Sequence, residues 1–342
     1  MEFRSIPKAF TLIALVNLAG SPALADLPGA VKGGQFAEIK VPLADQLDTN
    51  DPVQARERLT QMGVKYLWRM VDDDIVTSAG TLTVRDFMGN GDALASPSDV
   101  AKLSCTRKKT KESFLFVGRP FPDDHKGGYL TVAEKNPLTS RLEAGDSFTI
   151  GGWVKMMPVS LRDETSPANM PRGYMPLLSR SNSRAYEWFG HLTTERLYVA
   201  VNRDNRSPSL SNEQLPWWAH TYGTCWNGQY NEECWHFVAI SVDPTKNKVQ
   251  FVIVRREGNN IPGHTSDFSQ IQMTDTVLDR AAVASLAGSE LLIGGDKTIS
   301  MHGLLRGVFF ARAALTKEQM KSIATFTAPN KQTVLCHSDD LK

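Results

Sequence analysis

Between residues 235 and 254 the chain alternates apolar and polar positions with a period of two. Val238, Ile240 and Val242 fall on one side of the first run, and Val249, Phe251 and Ile253 on one side of the second. That is the spacing of strands with one face turned to a core. The polar stretch from Pro244 to Lys248 predicts a tight turn between them, and so a β-hairpin. Similar patterns recur at residues 64–70, where Trp68 and Met70 share a face, and at 81–86, 113–118, 128–132, 148–155, 175–180, 197–201, 290–294 and 303–310. The connections are polar and carry Gly and Pro. Strands at this spacing predict an all-β protein, with two antiparallel sheets packed as a sandwich. One segment differs. Asp51 suits an N-cap, Pro52 the first helical position and Gly63 a left-handed stop, which predicts a short helix. With Val53, Leu59 and Met62 as its only sizeable apolar residues, it should pack on the edge of the main domain.

The order of the motifs resembles the laminin-G-like, concanavalin-A-like jelly-roll family. Trp235-His236-Phe237-Val238-Ala239 through Asp243 is similar to its "W-H-x-V-A-x-x-x-D" strand, and Leu291-Leu292-Ile293-Gly294-Gly295 to its "L-x-I-G-G" strand. Gly303 to Phe310 follows the "G-x-I-D-x-V-x-I" strand, with Arg306 where the family has an acid, and Ala314-Leu315-Thr316 to Met320 the closing helical turn. Earlier, Phe148 to Lys155 and Pro176 to Arg180 are similar to the "F-T-[IV]-x-x-W-[VI]-[KR]" and "P-L-L-S-[KR]" strands, and the turn from Asp86 to Asp92 to a "D-x-x-G-N-G-[DN]" opening. The resemblance covers residues 64–328 and implies a jelly-roll sandwich there. Residues 26–63 are then an N-terminal extension and 329–342 a tail.

Arg4 and Lys8, an apolar run from Ala9 to Ala19 and the small residues Ala23 and Ala25 read as a secretory signal peptide over residues 1–25. The run is about half the roughly 20 residues that cross a bilayer, so no retained membrane anchor is expected. The destination is extracellular, cell-surface or periplasmic. Removal of Arg4, Lys8 and Glu2 would leave basic and acidic residues equal in number. The one basic cluster, Arg107-Lys108-Lys109 with Lys111, reads as a solvated loop, and nucleic acid is not an expected partner. In an oxidising compartment the four cysteines are expected to pair. The short spacing favours Cys225 with Cys234, leaving Cys105 with Cys336. No C-x-x-C or C-x-x-H spacing supports a metal site at these residues.

The segment from Arg203 to Glu233 is too long for a hairpin turn and is rich in rings. Trp217, Trp218, His220, Tyr222, Trp226 and Tyr230, with Asn227 among the hydrogen-bonding side chains, suit a sugar-binding rim. Indoles cover the apolar face of a pyranose while amides bond its hydroxyls. The competing reading has the same rings packed down on the sandwich as anchors. Asp86, Asn90 and Asp92 present hard oxygens in a glycine-bearing turn that suits Ca²⁺, and similar domains often hold a structural calcium there. Against it stand Asx-turn chemistry and an Arg306 head that neutralises Asp86 or Asp92 directly. The triplet Asp72 to Asp74 reads as a solvated turn.

No E-x-D-x-E array, G-x-S-x-G, H-E-x-x-H or Walker-type loop occurs. His220 with Tyr222 is a slender base and acid pair for a lyase. The resemblance implies a non-catalytic module that binds a glycan or glycosylated surface. A polysaccharide-degrading enzyme and a protein–protein adhesion or envelope-structural module on the same fold are the alternatives, because fold alone does not settle function.

Overall fold

The computed structural model describes residues 42–48, 50–78, 81–95, 114–116, 128–143, 145–156, 175–182, 186–192, 197–203, 210–211, 235–246, 248–255, 268–272, 288–295, 301 and 303–328. These form an antiparallel two-sheet β-sandwich with two short helices. One sheet runs in the order β1 (Val64–Trp68), β16 (Gly303–Ala311), β7 (Phe148–Met156), β12 (His236–Asp243), β13 (Lys248–Arg255) and β14 (Phe268–Gln272). A further strand, β5 (Phe114–Phe116), pairs with β16 beside β1. The other sheet runs β11 (Leu210–Ser211), β10 (Leu197–Arg203), β9 (Tyr186–Leu192), β8 (Met175–Ser181), β15 (Glu290–Ile293), β6 (Leu130–Glu134), β4 (Gly91–Ala95), β3 (Thr81–Val84) and β2 (Ile75–Ser78).

The expected hairpin is present, with β12 and β13 paired in register from Val242–Val249 through Ile240–Phe251 to Val238–Ile253. Five strands had no clear signature, among them the two-residue β11. β2 and β4 are short, β14 follows a long polar connection, and β9 carries Glu187 and Gly190 inside its run. Met70 ends up outside β1, with a positive φ of 61°, although its side chain is fully buried.

The inner faces meet through aromatic rings. Tyr66 stacks on Trp68 at 5.3 Å between ring centres, and Phe310 on the other sheet's Trp188 at 5.1 Å. The indole N–H groups of Trp68 and Trp188 donate to the carbonyls of Gly91 and Ser140, so neither ring buries an unmet donor. Gly190 leaves room for Ile150 of the facing sheet: a Cβ there would collide with it across the interface.

A buried ion network crosses the same interface. Arg180, 1% exposed, pairs with Glu134 through Nη1 and with Glu187 through Nε at 3.1 Å. Nη1 also donates to Ser140 Oγ at 2.6 Å. From the opposite sheet, Tyr66 donates its hydroxyl to Glu134 Oε1 at 2.8 Å. Burial and then the Glu134 carboxylate push the Tyr66 phenol far above its ordinary value. It therefore stays a donor.

Helices cover the outer face of the β1–β14 sheet. α1 (Pro52–Gln61) is capped by Asp51, which accepts from the amides of Val53 and Gln54, and it buries Ala55 and Leu59 in the core. Helix α2 (Lys317–Phe326) opens with a reciprocal Thr316–Gln319 capping box and buries Met320, Ile323 and Ala324. Beneath it the indole of Trp153 donates to Ala324 O, and Phe237 stacks on Phe309 at 6.0 Å. Among the described residues no helix is long and apolar enough to cross a membrane.

Removing the buried guanidinium strands two carboxylates, so Arg180→Met should destabilise the protein by roughly 3–5 kcal/mol in urea unfolding. Tyr66→Phe, which removes one hydrogen bond to a charged acceptor, should cost roughly 1.5–3 kcal/mol in the same measurement. A neutral Arg180→Met variant would show that the network contributes nothing to holding the sheets together.

Candidate functional site

The turn after β3 is built around one carboxylate. Asp86 is 6% exposed, and its Oδ1 accepts from the amides of Leu67 and Met88 at 2.9 and 3.0 Å. Its Oδ2 accepts from Asn90 and Gly91 at 2.7 and 3.2 Å. Asn90 donates its side-chain amide to Lys65 O, and Asp92 Oδ1 accepts from Asp86 N. Burial pushes the Asp86 carboxyl up to about 6, against the four amides that hold it down. A Ca²⁺ site turns carbonyl and carboxylate oxygens toward one point. Here amides converge on the carboxylate, so the turn satisfies its own charge and the Ca²⁺ expectation gains no support from it. Among the described residues no three His, Cys, Asp or Glu side chains gather as a metal site. Arg306 is buried on the outer face of β16 and donates from Nε to Thr327 O at the end of α2. Asp74 is held by both Nε and Nη2 of Arg69 at 2.8 Å rather than solvated.

The aromatic and polar rim residues Trp217, Trp218, His220, Tyr222, Trp226, Asn227 and Tyr230 lie outside the described residues, as do Cys105, Cys225, Cys234 and Cys336. His236, in contrast, is a buried strand residue at 2% exposure.

A feature that the sequence did not announce lies on the outer face of the β12–β13 hairpin. There a cavity of about 390 Å³ opens between the hairpin and the start of α2. Residues of β12 and β13 alternate faces. Val242 and Val249 point inward, so Ser241 and Asp243 point out beside their partners Gln250 and Lys248. The opposite wall is Ala314 to Glu318. Ser241 Oγ donates to Leu315 O at 3.2 Å, and Thr149 Oγ1 both donates to Ala313 O and accepts from Leu315 N. These bonds fix the lead-in to α2 against the sheet. Burial alone would raise the Asp243 carboxyl, but the hydroxyl of Thr245 and the amide and charge of Lys246 together hold it below the usual range. Burial and then the charge of Lys248 lower Lys317, and Glu318 offsets part of this. The sequence signals for the site were the polar half of the alternation in β13 and the closing helical turn at Ala314 to Met320, with nothing to say that they meet. Its other wall lies some 70 residues further along the chain.

No protein-family model matches the chain, and no curated protein matches it. Solved structures with a similar course include the Trypanosoma rangeli sialidase in complex with 2,3-difluoro-KDN, at TM-score 0.40 and 12% identity over 77% of this chain. The chain spans only 33% of that sialidase's length. The CBM40 module of the Ruminococcus gnavus IT-sialidase, bound to α2,3-sialyllactose, gives TM-score 0.36 and 14% identity over 61% of this chain and 96% of the module. Lectin I of Ulex europaeus, in complex with the methyl glycoside of α-L-fucose, gives TM-score 0.33 and 12% identity over 63% of this chain and 90% of the lectin.

Asp86→Asn would turn an NH₂ group toward two of the four amides, and it should cost roughly 2–4 kcal/mol at pH 7. Because the folded carboxyl titrates above its ordinary value, its contribution is fullest in acid and is lost as the pH rises through about 6. The stability gap between the wild type and Asp86→Asn should therefore narrow by roughly 2–3 kcal/mol from pH 4 to pH 7, read from urea midpoints. A gap that widened with pH would show that the amides outweigh burial.

Proposed function

We propose that the protein is an exported, non-catalytic carbohydrate-binding protein on a laminin-G-like sandwich. The observation that carries this reading is the cavity of about 390 Å³ beside β12 and β13. Its volume lies within the roughly 300–1,000 Å³ of small-ligand pockets. Ammonium, amide and hydroxyl groups stand over an apolar floor at Ala314 and Leu315, a mixture that matches a sugar's hydroxyls and its C–H faces. The ring-rich segment before β12 has the composition of a second sugar-binding element. The two carboxylates buried with Arg180 are at most 6% exposed, which keeps this pair from a polysaccharide chain.

A glycan array probed with the full chain, with and without a chelator, tests the reading. Binding to a defined glycan class is expected, with no product released from a polysaccharide panel. Gln250→Leu should lower affinity by about 5-fold or more, the worth of one buried hydrogen bond. Trp217→Ala and Trp218→Ala serve as comparison variants, and loss of binding in them but not in Gln250→Leu would move the site to the ring-rich segment. Loss on chelation would bring Ca²⁺ back into the account. Silence on the array together with product release would overturn the binding reading in favour of an enzyme.

A further inference from the structure

The charged groups around the cavity divide into two kinds. Asp243 is fully engaged. Its Oδ1 accepts from Thr245 Oγ1 at 2.6 Å, from the amides of Thr245 and Lys246 at 3.2 and 3.3 Å and from Ser147 Oγ at 3.4 Å. Its Oδ2 takes the ammonium of Lys246 at 3.1 Å. Lys248 has no carboxylate partner among the described residues, and it stands near enough to Lys317 for the two charges to oppose each other. Glu318 offsets part of that repulsion. The positive end of the α2 dipole faces the same space, and like the lysines it favours an anion there.

Gln250 supplies an independent pointer. It is only 8% exposed and lines the cavity, yet its side-chain amide has no hydrogen-bond partner among the described residues. Its amide opens onto the solvent of the cavity, so it is available to donate to a bound species. It lies next to Lys248 on the same face of β13, opposite Ser241 in register.

On these observations we infer that the cavity recognises an anionic sugar, whose carboxylate or sulfate group sits between Lys248, Lys317 and the Gln250 amide. The inference rests on the carbohydrate-binding reading and narrows it to acidic saccharides. The two ammonium groups meet the oxyanion, the amide donates to one of its oxygens, and Ala314 and Leu315 lie against the ring. Bound there, the anion offsets the repulsion between the lysines and accepts from the amide.

The test is calorimetric titration of the full chain with glucuronic acid, glucose 6-sulfate, glucose and inorganic sulfate, repeated with Lys248→Gln, Lys317→Gln and the double variant. Lysine to glutamine at partly exposed positions should leave the thermal melt unchanged, which confirms folding. At least one acidic sugar should bind about 10-fold or more tightly than glucose, and each single variant should lose about 5-fold or more of that advantage. Glucose affinity should fall less than acidic-sugar affinity in the variants, and acidic-sugar binding should weaken as salt is raised. Glucose bound as tightly as both acidic sugars, with the variants silent, would overturn the anion seat and leave carbohydrate binding standing. Inorganic sulfate bound as tightly as glucose 6-sulfate would uphold the anion seat and overturn the sugar. Affinity of the acidic sugars untouched by either lysine would overturn the inference.

Discussion

The guanidinium of Arg180 sits inside the sandwich, where a charge persists only with its partners in place. Glu134 and Glu187 balance it, Ser140 Oγ accepts from it, and Tyr66 reaches across from the other sheet to Glu134. Apolar side chains alone would let two twisted sheets settle in several near-equivalent registers. A directional pair that must be satisfied in a dry interior leaves few. The ring stacks around it, Tyr66 on Trp68 and Trp188 on Phe310, then pack at one spacing. Gly190, which lets Ile150 approach, belongs to the same fit.

The outer surface of the β1–β14 sheet follows different rules. Helix α2 and the strand end before it are fastened by side chains that reach up to backbone carbonyls: Thr149 to Ala313, Ser241 to Leu315, Trp153 to Ala324 and Arg306 to Thr327. Each bond also satisfies a polar group that the helix would otherwise bury. The cavity exists because this fastening stops short of the hairpin turn. Lys248 extends past the cover while Ser241 and Gln250 remain under it.

The strands were legible because alternation over several residues is a local property. β9 was not, since Glu187 and Gly190 interrupt its pattern, and each has a role that only the tertiary structure supplies. Arg180 looked like the polar end of a strand. Its alternation with Leu178 does place it inward, but nothing local says that Glu134 and Glu187 will be there to meet it. The turn at Asp86 was visible as a feature, while its chemistry depended on where backbone amides of distant residues such as Leu67 point. The cavity joins the polar side of β13 to the first turn of α2, and the helical-turn motif at Ala314 to Met320 does not announce that the two will meet.

The pairing of β1 with β16 places the first strand of the sandwich against its last. Residues Val64–Trp68 therefore have no permanent neighbour on that side until almost the whole domain has been synthesised. Contacts of such long sequence separation slow folding and leave strand edges open to other chains in the interval. Val64, Tyr66, Leu67 and Trp68 are all buried in the finished protein, so the nascent chain carries an apolar, unpaired edge for most of its elongation. Its yield should then depend on how quickly residues 303–311 arrive to close it.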